Sequence, residues 1–276
     1  MRTELSNRMI GSGTNALASS IVLVCRQRST TAPTATRREF LSALKAELPV
    51  ALAHLQRGNI APVDLAQAAI GPGMGVYTRY AKVLDAEGKP LSVREALALI
   101  NQTLDEALAE QEGDFDADSR WALTWFEQTS FAEGDYGVAE QLSKSKNTAV
   151  AGMVEAGILV SKAGKVRLLK PEELAVDWDP AKDARLTIWE IVHHLARALN
   201  IGEQTAAHVL AKVRAVSPTK ADAARELAYR LYTLCERKKR ANEALAYNSL
   251  VVAWPDLLLL AQATPLPSPG TQADLI

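Results

Sequence analysis

The sequence is poor in the features that usually announce a chemistry. It has only two cysteines, Cys25 and Cys235, in 276 residues. That argues against a disulfide or zinc framework. Each lies inside an apolar segment, so both are expected to be reduced, buried thiols of a cytoplasmic protein. Aromatic residues make up 5% and the net charge is −1. No global field therefore draws polyanions, and a nucleic-acid surface would have to be local. No run reaches the ~18 apolar residues of a membrane span, and Ala16 to Cys25, followed by Arg26 and Arg28, is too short for a signal peptide. A soluble, cytoplasmic chain with no membrane partner is expected. Catalytic patterns are missing too: there is no Walker loop, no H-E-x-x-H, no C-x-x-C and no Ser-His-Asp set on plausible turns. The sole Asp-Pro, Asp179-Pro180, continues into Ala181 rather than into a D-P-P-Y motif, and no F-x-G-x-G cofactor motif occurs. The chain alone is expected to be catalytically silent, with no catalytic residue, metal site or cofactor site of its own.

What is present is a helix-forming chain. Apolar residues reach 48%, charge is an ordinary 23%, and alanine is abundant. Three capping boxes mark helix starts: Thr36 with Glu39, Ser92 with Glu95, and Thr187 with Glu190. The first opens an amphipathic helix carrying Phe40, Leu41, Leu44, Leu48, Leu52 and Leu55, which Pro49 should kink or divide. The second puts Val93, Leu97, Ile100, Leu104 and Leu108 on one face, and the third Ile188, Ile191, Val192, Leu195 and Leu199. Pro62 starts a helix expected to reach Ala69. A helix over about 203–214, one opened by Ser217-Pro218, and a last one from Glu243 to Trp254, stopped by Pro255, complete the pattern.

One stretch is organised differently. Val138, Ala139 and Leu142 make a short helical piece, and Ser143 to Asn147 a polar turn. A second piece follows with Val150, Met153 and Val154 at helical spacing, and Gly157 sits at its end. Ile158-Leu159-Val160 and Val166-Arg167-Leu168 then flank the turn Ser161 to Lys165. Helix, turn, helix and two-stranded hairpin is the order of a winged helix-turn-helix, with the aromatic segment Trp121 to Phe126 as its first helix. Residues 143–170 hold six basic side chains (Lys144, Lys146, Lys162, Lys165, Arg167 and Lys170) against one acid, Glu155. With Thr148, these are the candidate DNA-binding residues, since duplexes bind through phosphate neutralisation. The competing reading is a small α/β packing unit with a solvated lysine-rich face.

Other motifs tempt. Gly71, Gly73 and Gly75 invite a phosphate-loop reading, but a helix rather than a strand precedes them, so a turn between helices is expected. Residues 103–118 carry seven acids and no base, without the ordered spacing of a calcium loop, and read as a solvated linker. Glu190 and His193 form one E-x-x-H where a di-iron bundle needs two. With His194 they read as surface residues of an amphipathic helix. Glu236 to Arg240 is a basic helix end, solvated or in contact with a partner. The run Ala18 to Cys25 reads as a strand buried on both faces, yet no strand of comparable quality follows for over a hundred residues. Its sheet is expected to lie outside this sequence, which would make the chain the C-terminal piece of something larger or a chain that docks a partner sheet.

The segments ALASSIVLVCR (16–26), PTATRREFL (33–41), NIAPVDLAQAAIGPGM (59–74), EGDFDADSRWALTWFEQ (112–128), LAYRLYTLCERK (227–238) and EALAYNSLVVAWPDL (243–257) resemble the C-terminal part of large bacterial adenine-specific DNA methylases. These are the Zn-ribbon-containing methylases associated with phage-defence loci, and the resemblance covers about residues 1–260. It implies an S-adenosylmethionine-dependent N6-adenine methyltransferase as parent activity, with Ala18–Cys25 a late strand of its sheet. The family's cofactor loop and D-P-P-Y-like motif have no counterpart here, so no catalytic or cofactor residue carries over. The expectation is a mainly α protein with an inserted winged-helix-like α/β module and one N-terminal strand left from a methyltransferase sheet. Its parts would be the strand remnant (1–30), a helical domain (31–112), the winged-helix-like module (113–176), a C-terminal helical domain (177–262) and a disordered tail (263–276). Its expected partners are duplex DNA, the catalytic half of the methylase and other defence proteins. A protein-interaction module or a free-standing winged-helix regulator are the alternatives.

Overall fold

The computed structural model describes residues 24–110 and 114–263. Among them the protein is mainly helical, with ten α-helices and five short strands. They fall into two compact units, Met1–Gln111 and Glu112–Ile276. Most of the expected strand Ala18–Cys25 and all but the first residue of the tail lie outside the described residues. The two described residues of that strand, Val24 and Cys25, are coil and exposed, which corrects the expectation of a buried Cys25. Cys235 is buried, and burial pushes its thiol up to about 12.

In the first unit, β1 (Thr34–Thr36) leads into α1 (Arg37–Arg57), α2 (Pro62–Thr78), β2 (Lys82–Leu84) and α3 (Val93–Glu110). The strands pair in parallel with Ala35 opposite Val83. The capping boxes of α1 and α3 form, with Thr36 and Ser92 exchanging bonds with Glu39 and Glu95. Phe40, Leu44, Leu48 and Leu52, four apart on α1, are fully buried, as is Ile100 on α3.

Pro49, expected to kink or divide α1, does not divide it. Helix α2 runs through Pro72 and all three glycines to Thr78 instead of ending near Ala69. A proline removes one backbone donor at a cost of ~3 kcal/mol; the buried face along each helix offsets it. The glycines are helical rather than part of a turn, and one of them, Gly73, serves packing. A Cβ on Gly73 would lie 2.6 Å from Ile100 Cγ2, so glycine is what lets α2 and α3 approach.

In the second unit, α4 (Ala117–Thr129), β3 (Gly134–Asp135), α5 (Tyr136–Ser145), α6 (Val150–Glu155), β4 (Leu159–Lys162) and β5 (Lys165–Leu168) come first. The strands form an antiparallel sheet in the order β3-β5-β4. Trp121 and Trp125 stack at 5.2 Å, and the Trp121 indole donates to the Ala139 carbonyl at 3.1 Å, joining α4 to α5. A 3₁₀ turn at Pro171–Glu173 and an irregular connection lead to α7 (Ile188–Ile201), α8 (Glu203–Val216), α9 (Pro218–Arg237) and α10 (Ala241–Ala263).

Helix α7 is buried nearly all round, which corrects the expectation that Glu190, His193 and His194 lie on a surface. Their exposures are 2%, 0% and 4%. Glu190 completes the capping box of Thr187. His193 bonds the Trp189 carbonyl through Nδ1 at 2.7 Å and the Tyr247 hydroxyl through Nε2 at 3.0 Å. His194 stacks on Trp178 at 4.0 Å. Helix α10 overruns its expected stop at Pro255 because Tyr247, Leu250, Trp254, Leu257 and Ala261 continue its inner face past the proline. By length and hydropathy (1.5) it could cross a membrane. Here, that inner face packs on α7, α8 and α9.

Candidate nucleic-acid interface

The surface in question is carried by α5, α6 and the β4–β5 hairpin. Between the helices the chain turns at Lys146-Asn147. Asn147 takes φ +58°, and the Thr148 amide donates to the Ser143 carbonyl at 2.9 Å. Helix α6 buries Val150 and Met153 and exposes Ala149, Ala151, Val154 and Glu155. Most base reading in a major groove is done by Arg, Lys, Asn, Gln or hydroxyl side chains, with carboxylates accepting from cytosine and apolar groups touching the thymine methyl in a lesser part. The outward face of α6 offers two alanines, a valine and a carboxylate.

The hairpin closes through Ala163 (φ +51°) and Gly164 (φ +72°), a left-handed pair that suits a two-residue turn. Lys162 and Lys165 are therefore directly cross-strand. Like charges so placed are destabilising; the Asp135 carboxylate, 3.8 Å from the Lys165 ammonium, offsets part of this. Arg167 is differently employed. Its guanidinium makes a two-pronged bond to Glu173 at 2.6 and 2.8 Å. Arg167, together with the Lys170 backbone amide, holds the Glu173 carboxyl down to about 2. Lys144 stands 3.9 Å from Glu140 one turn back.

Thr148 is also engaged inward. Its hydroxyl bonds Asp118, and Arg185 donates to it at 3.2 Å. Arg185 clamps Asp118 through Nε at 2.6 Å and Nη2 at 3.0 Å. The guanidinium lies over Gly152 so closely that a Cβ there would be 2.2 Å from Nη1. Of the seven candidates, five lysines (144, 146, 162, 165 and 170) remain exposed or half-exposed, while Thr148 and Arg167 are engaged with Asp118 and Glu173.

The acidic stretch is not the solvated linker expected of it. Residues through Glu110 belong to α3, where Glu106 pairs with Lys45 at 2.9 Å. Asp116 caps α4 by accepting from the Ser119 amide, and it also accepts from the Ile188 amide at 2.9 Å. The Ser119 hydroxyl accepts from the Trp189 amide at 2.8 Å. The start of α7 is thus finished by side chains from α4. The basic run at 236–240 divides likewise. Arg237 pairs with Glu127 at 2.7 Å, and Arg240 donates to the Phe126 carbonyl at 2.8 Å while lying over that ring. Sequence spacing signals the local cap Asp116–Ser119, but nothing in it signals the bonds to residues some seventy positions on.

A cavity of about 430 Å³ opens beside this seam, lined by Asp118, Thr148, Asp183, Arg185, Thr187 and Lys220 among others. Several of its polar side chains are partnered inside the protein. Asp183 accepts from the Trp178 indole and the Arg185 amide, each at 2.9 Å, and the Lys220 ammonium donates to the Leu186 carbonyl. S-adenosylmethionine, which the methylase resemblance implies for the parent enzyme, does not fit the described residues. The glycines of 70–75 are helical, and the charged side chains of the cavity, Asp118, Asp183, Arg185 and Lys220, are engaged with the protein. Among the described residues no cluster of His, Cys, Asp or Glu is arranged to hold a metal.

These features define a mainly helical protein whose second unit combines a helix–turn–helix–hairpin with a four-helix bundle. A family described as a domain of unknown function (DUF8807) matches residues 116–275, and the chain belongs to that family. Comparison with curated proteins gives no match, and comparison with solved structures gives none.

Proposed function

We propose that residues 117–170 act as a winged helix-turn-helix that holds duplex DNA by its backbone without reading its sequence. In this reading it is the accessory part of a cytoplasmic adenine-specific methylase whose methyl transfer is done by residues outside this sequence. The observation that carries the reading is the hairpin tip. Lys162 and Lys165 face each other across a two-residue turn despite their repulsion, an arrangement that phosphate contact would relieve. Lys144 and Lys146 at the end of α5, with Lys170 after β5, extend the positive surface. The apolar outward face of α6 argues against a sequence-specific regulator and for a grip that follows the phosphates.

Binding of a 20-base-pair duplex by fluorescence anisotropy, as a function of salt, tests this. Replacing Lys144, Lys146, Lys162 and Lys165 with alanine should flatten the log K against log[salt] slope by roughly 3 to 4, at about 0.9 per phosphate contact. Unrelated duplexes should bind alike. An unchanged slope, or strong preference for one sequence, would refute the grip. A second reading, contact with another protein of a defence assembly or with the methylase's catalytic half, is favoured by the exposure of Val138, Val154 and Val160 on α5, α6 and β4. Its signature would be salt-insensitive association lost in V154D.

A further inference from the structure

Helix α10 carries a second apolar stripe on the side turned away from the bundle. Leu245, Val252 and Leu259 are 58%, 40% and 65% exposed and lie seven residues apart. On a helix that spacing returns to nearly the same side, so they form one line along the axis. Ala241, Asn248, Ser249, Pro255, Asp256 and Ala263 flank this line. Asp256 is the sole charged residue between Ala244 and Ala263.

We infer that this stripe pairs with the same stripe of a second copy of the chain, antiparallel, about a two-fold axis at Val252. The stripe's own symmetry selects a second copy over other occupants. Laid against itself in reverse, it puts Leu245 on Leu259, Ala241 on Ala263, Ser249 on Pro255 and Val252 on Val252. Asn248 then faces Asp256, so the one charge on the stripe meets a neutral polar side chain. Every apolar position meets an apolar or small one, and no charge meets its like. An arbitrary partner would need no such match, whereas a two-fold contact requires it. The helix dipoles oppose each other in this arrangement, which is favourable. A lipid surface fits less well, because Asn248 and Asp256 lie close to the line and no basic residue follows Ala241 on the helix to meet headgroups. The seam is about 35 Å long at 1.5 Å per residue. Such a contact falls short of a permanent interface and gives a dimer that forms reversibly with concentration. The inference does not rest on the nucleic-acid reading.

The test uses the full chain carrying Cys25→Ser, so that the exposed native thiol does not interfere. Sedimentation from roughly 1 to 200 µM should show a monomer–dimer equilibrium. L245E/L259E should weaken dimerisation at least tenfold while keeping the native tryptophan emission. With a short bismaleimide, V252C should link to itself. L245C and L259C should each fail to self-link but should link to one another when mixed. A monomer throughout the range would overturn the inference. So would efficient self-linking of L245C, which reports parallel pairing, and so would pelleting of the protein with anionic vesicles in place of dimerisation.

Discussion

Acidification should destabilise the second unit over a range where most proteins stay stable, and the buried histidines of α7 set the size of the effect. Burial depresses His193 to about 4 and His194 to about 3, from an ordinary 6.5. Both are neutral in the folded protein, whereas the unfolded chain takes up two protons as pH falls below 6.5. Stability from these groups is therefore present above pH 6.5 and lost on the way down, at about 1.4 kcal/mol per pH unit for each. Glu190 acts in the opposite sense. Burial raises it to about 7 from 4.5, so between those values the folded form holds a proton that the unfolded chain releases. Two protons against one leaves one, so stability falls by about 1.4 kcal/mol per unit, or about 3 kcal/mol from pH 6.5 to 4.5. Glu226, also raised by burial, works in the same direction as Glu190 and makes this an upper figure. The loss is a large fraction of an ordinary domain's 5–15 kcal/mol. All five tryptophans lie in the second unit, so urea unfolding followed by their emission reads that unit alone. E190Q keeps an amide oxygen to accept the two bonds from Thr187 and removes the opposing term. Its slope should approach about 2.7 kcal/mol per unit. A urea midpoint that stays flat from pH 6.5 to 4.5, or an E190Q slope equal to that of the parent, would refute the assignment of neutral, buried histidines.

Three further outcomes follow from single contacts. G73A should destabilise the first unit by about 1–3 kcal/mol through the clash with Ile100. In thermal melts followed by circular dichroism, G73A/I100A should lose less than the sum of the single variants. D118A should cost the second unit about 2–3 kcal/mol, since it strips Arg185 and Thr148 of a largely buried acceptor, and urea midpoints check it. E173Q should release Arg167 from its two-pronged pair and steepen the salt dependence of DNA binding by about 0.9 in slope, with little change in stability for so exposed a pair.

How much of this could be read in advance depended on how local the cause was. The three capping boxes are i to i+3 events, and each formed where Thr36, Ser92 and Thr187 announced it. The hairpin was legible because Ala163-Gly164 lies between two alternating runs. Its strands shift by a residue or two from expectation. Prolines misled because Pro49, Pro72 and Pro255 each weaken a helix locally, while the residues that keep it going, such as Trp254 and Leu257 around Pro255, act through packing that no short window displays. Gly73 misled for the same reason, since its meaning lies in Ile100. Strands of two or three residues, Gly134–Asp135 and Thr34–Thr36, are too short to show a period. At the candidate interface, sequence named five lysines that the fold leaves exposed or half-exposed, but it could not tell that Arg167 pairs with Glu173 or that Thr148 bonds Asp118.

The bonds by which Asp116 and Ser119 finish the start of α7 limit how this protein could be dissected. A segment cut out after Lys170, or grafted onto another scaffold, would carry away the acceptors on which the Ile188 and Trp189 amides depend. The remaining bundle would begin with a frayed helix and a histidine-bearing core open to water. Neither fragment should behave as a portable part. Any rearrangement that borrowed the hairpin for a new host would have to take residues 116–263 together.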